Sequence, residues 1–272
     1  MNGARDARTL NKVNHLRNAE VQAVLHRLTH DVRIVLVDEL VALYVYGSLL
    51  TPDFDSSRSD VDVCAIVKHD LGDAHVDLLR VMHARLVQDF PAWRDRVEVD
   101  YVSAAAIRDS RTTARSMIRI SPGEPIHLVE ANAHYVLNWY MARRGETLHG
   151  PPPLDVIPAI SQAEFLDVVA RHARAWPEWA LEMHHAGGQA YAVLSLCRAL
   201  YAMQFGEQAT KKAAARFAET ELPEWSELIV WAARARYDPD FRASARFEDV
   251  IRFVRDVSDR VARHAKARGL RG

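Results

Sequence analysis

Apolar residues recur at Val21, Val24, Leu25, Leu28 and Val32, a spacing of three and four that predicts one helix from about Ala19 to Leu40. The pattern then changes. "VALYVYGS" is β-branched and aromatic and stops at Gly47-Ser48, which predicts a strand, and "VDVCAIV" predicts a second one. In "DAHVDLLRVMHARLVQDF" the helical spacing returns, with Val76, Leu79, His83, Leu86 and Phe90 along one side. "RVEVDYVS" alternates charged and apolar positions and predicts a third strand. Strands interleaved with helices predict an α/β (α+β) domain over the first half of the chain.

The texture shifts at "GETLHGPPPLDVIPAI". Three consecutive prolines, Pro151 to Pro153, cannot continue a helix and are expected to form an extended linker. Almost every later segment is helical in pattern. In "AYAVLSLCRALYAMQFG" one stripe holds Val193, Leu196, Cys197 and Leu200 and another holds Tyr191, Leu194, Arg198, Tyr201 and Phe205, so this helix is expected to be surrounded. "TKKAAARFAETEL", "PEWSELIVWAARARY" and "FEDVIRFVRDVSDRVARHAKA" follow. The expected organisation is an N-terminal domain over 1–153 and an all-α helical bundle over 154–272.

Composition narrows the function classes. With 272 residues, 49% of them hydrophobic, and a net charge of −1, the chain can pack large cores but has no basic field for nucleic-acid backbones. Cys64 and Cys197 each lie in an apolar run, which fits buried free thiols in a reducing, cytoplasmic setting. The opening "MNGARDARTLNKVNHLRNAE" lacks the apolar core of a signal peptide, and no segment approaches the roughly 20 apolar residues of a membrane span. A monomer with no membrane or nucleic-acid partner is expected.

Strand alternation puts Asp60 and Asp62 on one side, with Val61 and Val63 on the other. Two carboxylates this close repel unless a cation lies between them, and Mg²⁺, which favours one or two carboxylates plus substrate phosphates, suits the pair. The pairing therefore points to a nucleoside triphosphate substrate. Gly47-Ser48 at a strand end lets backbone N–H groups approach phosphate oxygens, with Ser48 and Ser59 adding hydroxyl donors. Glu98 and Asp100, alternating on the third strand, supply a further carboxylate that can hold a second ion or accept a proton from an attacking hydroxyl.

"GS" followed by "SDVD", with a later acidic strand, resembles the nucleotidyltransferase signature of the DNA polymerase β superfamily. "VEVDYV", "PIHLVEANAHYVLNWYMARRGETLHGPPP" and "VLSLCRALYAMQFGEQATKKAAARFAETELP" are similar to the aminoglycoside 3''-adenylyltransferases. That resemblance, from about Val41 to Ala262, implies a polymerase-β-like nucleotidyltransferase domain joined to a helical domain. It implies Mg²⁺-dependent transfer of AMP from ATP to a hydroxyl of a small cationic acceptor, a streptomycin- or spectinomycin-type aminoglycoside. It also implies Ser48 and Ser59 at the triphosphate, Asp60, Asp62 and Glu98 at the metal, and Glu98, rather than Asp100, as the catalytic base. Arg198, Lys211 and Tyr237 fall where the family contacts ATP. The same fold can also serve another acceptor, such as a protein hydroxyl, or a nucleotide sensor without catalysis.

Acceptor contacts stay open. Streptomycin- and spectinomycin-modifying members carry a tryptophan and an acidic residue before the helix that begins near Tyr191. An ungapped alignment puts His185 and Gly188 at those positions; an alignment on "WPEW" puts Trp179 and Glu182 there. Glu178, Glu182 and Asp155 could pair with ammonium groups, and Trp176 and Trp179 could stack, although solvated acids and core tryptophans are the plainer expectation. No histidine spacing, His184-His185 included, matches a zinc site. Asp53 and Asp55 read as turn residues, and "RVARHAKARGLRG" as an amphipathic, frayed tail.

Overall fold

The computed structural model describes residues 16, 18–238 and 240–270. Most of the opening segment, and with it the expectation about a signal peptide, lies outside the described residues. One unit ends at Ala159 and the other starts at Ile160.

In the first unit, Asn18 accepts hydrogen bonds from the backbone of Glu20 and Val21 and so caps α1 (Ala19–Leu36). Val21, Val24, Leu25, Leu28 and Val32 are buried along it. The helix stops four residues short of the expected Leu40. Val37 takes φ 40 and a short 3₁₀ turn leads into β1 (Leu40–Tyr46). Leu40 therefore starts the strand. After β2 (Val61–Val67) comes α2 (Asp73–Asp89), which buries Val76, Leu79, Met82, His83 and Leu86. β3 (Val97–Ser103) follows, and Ser103 caps the short α3 (Ala104–Asp109).

Four elements that hydrophobic spacing did not reveal complete the unit: β4 (Ser116–Ser121), β5 (Glu124–Glu130), α4 (Val136–Ala142) and β6 (Glu146–His149). The six strands form one sheet in the order β5-β4-β3-β2-β1-β6. β2 and β3 are parallel, joined by the α2 crossover, and the other pairs are antiparallel. Val61, Val63, Val97, Val99 and Tyr101 share a core with residues of α1 and α2.

The expected extended linker is only partly extended. Pro153 sits in the first turn of the short helix α5 (Pro153–Val156), where proline's missing N–H costs nothing. Tyr44 Oη donates to the Pro151 carbonyl at 2.9 Å, which ties this segment to β1.

The second unit is helical. Ser161 and Glu164 make a reciprocal capping box at the start of α6 (Gln162–Trp179). In α7 (Ala186–Phe205) the buried residues run nearly all round, while Tyr191 and Phe205 stay exposed. Its C-terminus turns on Gly206 at φ 75, whose carbonyl accepts from Gln162 Nε2 at 2.9 Å. α8 (Lys211–Glu221) and α9 (Ser226–Tyr237) follow. α10 (Phe247–Ala267) buries Val250, Phe253, Val254, Val257, Val261 and Ala265 on one face. The basic segment is thus helical through Ala267, and its last two residues lie outside the described ones. Cys64 and Cys197 are buried free thiols. Among the described residues, no helix is long and apolar enough to cross a membrane.

His83 lies inside the first core and pairs with Tyr101 Oη at 2.8 Å. Burial lowers its imidazole to about 4. The unfolded chain takes up this proton below its ordinary pKa of 6.5, while the folded protein resists until about 4. The stability tied to this group is therefore complete above 6.5 and lost as pH falls toward 4. Urea unfolding should show a loss of about 3 kcal/mol from this source over that window, and His83→Gln should flatten the slope.

Candidate active site

Register brings the acidic residues together. Asp62 pairs with Glu98 and Cys64 with Asp100 across β2 and β3, and Tyr46 of β1 pairs with Asp62. Since Val61, Val63, Val97 and Val99 point into the helical core, alternation turns Tyr46, Asp62, Glu98 and Asp100 to the opposite face. Asp60 sits just before β2, close enough that its charge raises the Glu98 pKa. Tyr46 Oη is buried without a hydrogen-bond partner among the described residues. Burial pushes its phenol far up, and the charges of Asp100, Glu98 and Asp62 push the same way.

Gly47-Ser48 lies in a 3₁₀ turn directly after β1. Gly47 has φ 74, and a Cβ there would stand 2.0 Å from Asp62 Oδ2. Glycine is required twice over, for its left-handed backbone and for the space it leaves to Asp62. Ser48 Oγ donates to the Asp60 carbonyl at 3.4 Å, which joins the turn to the acidic pair. Ser59 is different. It is buried, its Oγ accepts from Asp55 N at 3.0 Å, and its carbonyl accepts from Arg96 Nη2 at 2.6 Å. Asp55 accepts from both Ser57 N and Ser57 Oγ, as turn chemistry requires.

Glu98 and Asp100 are not equivalent. Asp100 is fully buried, with Arg119 donating to Oδ1 and Asn138 donating to Oδ2 at 3.2 Å. On Glu98 both donors meet the same oxygen: Arg119 Nη2 at 2.7 Å and Asn138 Nδ2 at 3.3 Å reach Oε1. Oε2 accepts no hydrogen bond among the described residues, and the side chain keeps 17% of its surface exposed. Burial raises the pKa of both carboxyls, and Arg119 opposes the rise in each. β3 is an inner strand, between β4 and β2, and the charges on it are paired. Sequence reasoning missed Arg119 and Asn138. The one available signal was a lone arginine among the apolar alternation of "SMIRIS".

In the second unit Arg198 is half-buried on α7, with the Gln208 amide beside its guanidinium. Lys211 opens α8 with its Nζ 5.2 Å from the centre of the Tyr191 ring. Tyr237 closes α9, and Lys212 Nζ lies 4.5 Å above its ring. His185 is the N-cap of α7, its Nδ1 accepting from Gly188 N at 3.0 Å, so this pair builds a helix start. Trp176 is buried edge-to-face against Trp179, which is 38% exposed, and Glu178 and Glu182 are exposed nearby in sequence. Asp155 is exposed in the first unit.

Among the described residues, no three or more His, Cys, Asp or Glu side chains form a ready metal cluster. Asp60 and Asp62 fit a magnesium ion whose remaining ligands are waters and substrate oxygens, and Gly47 keeps the space around Asp62 open. In Glu98, Oε1 is already engaged by Arg119 and Asn138.

Comparison with known proteins bears on the family of the helical unit and on the fold. Residues 155–260 match the family described as aminoglycoside adenylyltransferase, C-terminal domain. No curated protein matches the chain. Among solved structures, the chain is similar to spectinomycin adenyltransferase AAD(9) from Enterococcus faecialis, crystallised with ATP and spectinomycin. The TM-score is 0.73 at 16% identity, over 88% of this chain and 98% of that one. At that identity the likeness establishes the fold alone, a mixed-sheet α/β unit and a helical C-terminal region.

Gly47→Ala should cost about 1–2 kcal/mol in urea unfolding through its left-handed backbone. The added methyl should also turn the Asp62 carboxylate aside, weakening Mg²⁺-dependent ATP binding in a calorimetric titration.

Proposed function

We propose that this aminoglycoside adenylyltransferase-like nucleotidyltransferase, an enzyme, transfers AMP from ATP to a hydroxyl of a small cationic acceptor of the streptomycin or spectinomycin type. The observation that carries the reading is the row formed by Asp60, Asp62 and Glu98 beside the Gly47-Ser48 turn, in a chain that also has the C-terminal domain of that family. A cytoplasmic monomer needing no other protein suits a chain with two buried free thiols.

The roles follow from the environments. Glu98 Oε2 receives the proton of the acceptor hydroxyl as the oxygen attacks the α-phosphorus; the new O–P bond forms, the bond to the bridging oxygen breaks, and pyrophosphate leaves. Asp100 is poorly suited to that task because both its oxygens are taken. Magnesium, with Asp60 and Asp62 as its protein ligands, supplies charge neutralisation for the triphosphate and the departing pyrophosphate. Backbone N–H groups around Gly47 and the Ser48 hydroxyl bind phosphate oxygens. Ser59 supports this turn from within the loop and adds to triphosphate binding through the turn it shapes. Arg198 and Lys211 contribute positive charge to nucleotide binding, and Tyr237 an aromatic contact.

Pyrophosphate release from Mg²⁺-ATP, measured against streptomycin, spectinomycin and other aminoglycosides, tests the reading. Acceptor-dependent release should disappear in Asp60→Ala. Glu98→Gln should bind α,β-methylene-ATP normally yet turn over about 10²–10⁴-fold more slowly. Full turnover without the Glu98 carboxylate overturns its role as base. Silence with every acceptor, despite Mg²⁺-dependent nucleotide binding, overturns the acceptor class.

A further inference from the structure

Asp100, Arg119 and Asn138 meet around Glu98 from three elements. Asp100 lies two residues further along β3, Arg119 pairs with Asp100 across β3 and β4, and Asn138 comes from α4. Arg119 is itself held on a second side, with its guanidinium carbon 5.2 Å from the centre of the Tyr135 ring. Asn138 donates to Glu98 and Asp100 alike.

A structural ion pair needs one acid for one guanidinium. Here Asp100, fully buried, already satisfies Arg119, and burying a second carboxylate beside it adds a desolvation cost that packing alone does not require. The contacts on Glu98 are also one-sided. Both donors converge on Oε1, and Oε2 accepts no hydrogen bond among the described residues. A carboxylate on a flexible glutamate side chain otherwise samples several rotamers, and a base is effective only in the one that meets the reacting hydroxyl.

We infer that Asp100, Arg119 and Asn138 are positioning residues forming a frame that clamps Glu98 by one oxygen and presents the other to the acceptor hydroxyl. This rests on adenylyl transfer with Glu98 as base. Arg119 and Asn138 act on Glu98 directly, and Asp100 acts by fixing Arg119 and Asn138. Nothing in the frame needs to touch ATP or the acceptor.

A double-mutant cycle tests the frame in the pyrophosphate assay, with α,β-methylene-ATP binding and thermal unfolding measured alongside. Asn138→Ala should lower kcat by up to about 10²-fold, with KM for ATP and nucleotide affinity nearly unchanged and a lower melting temperature, because a buried oxygen of Asp100 loses its donor. In a Glu98→Gln background the same change should have almost no further effect, because a positioning residue acts only through the group it positions. Asp100→Asn with Arg119→Met removes that ion pair together and leaves Asn138 as the one donor of the frame on Glu98, so the double variant, its folding checked by thermal unfolding, should also lose kcat. Equal losses with and without the Glu98 carboxylate, or wild-type kcat in both variants, overturn the frame while leaving the proposed function intact. No transfer by the wild-type chain to any acceptor overturns both readings.

Discussion

Packing four carboxylates onto one end of one sheet face is the constraint around which the N-terminal unit is organised. Asp60, Asp62, Glu98 and Asp100 come from two parallel strands, where register makes them neighbours. Like charges at such spacing repel, and removal from water raises the cost further. Arg119, delivered by an antiparallel strand, offsets part of that cost for Glu98 and Asp100. Asp60 and Asp62 stand beside the Gly47 turn, where the proposed cation and phosphate oxygens would complete the balance. The sheet thus separates a pair of acids suited to metal from a pair organised by a fixed guanidinium.

This division accounts for details that otherwise look unrelated. Gly47 must be glycine because Asp62 occupies the space a side chain would need. Ser48 ties its turn to the Asp60 carbonyl, which joins the glycine turn to the first of the acids. Ser59 is consumed by the loop, and Arg96 holds that loop by its carbonyls at Ser56 and Ser59. In the helical unit the residues proposed for nucleotide binding are half-buried, Arg198 on α7 and Lys211 and Tyr237 at helix ends.

Much of this was legible along the chain. Alternation in "SDVDV" and "VEVDYV" is a local property, and it correctly assigned one face to valines and the other to acids. Helices that bury a single stripe announced themselves through spacings of three and four, α10 most clearly, and α7, buried nearly all round, through two stripes. Weak local patterns hid the rest. β5, with Pro125, Ile126, His127 and Leu128, mixes polar and apolar residues because its faces are only partly covered, and β6 has four residues. Pro153 looked like a breaker, yet at a helix start it is compatible with the turn.

Asp60, Asp62, Glu98 and the Gly47-Ser48 turn could be singled out by sequence because their chemistry is encoded within a few residues of each other. Their physical basis is short-range: the two-residue period of a strand and the steric freedom of glycine. The choice between Glu98 and Asp100 was not encoded locally, since both lie on one face of one strand. Tertiary structure distinguishes the two carboxylates by bringing Arg119 from 19 residues beyond Asp100 and Asn138 from 38 residues beyond. Those two donors fill both oxygens of Asp100 and only one of Glu98. Strand order and helix placement set that difference, and no spacing in the chain carries it.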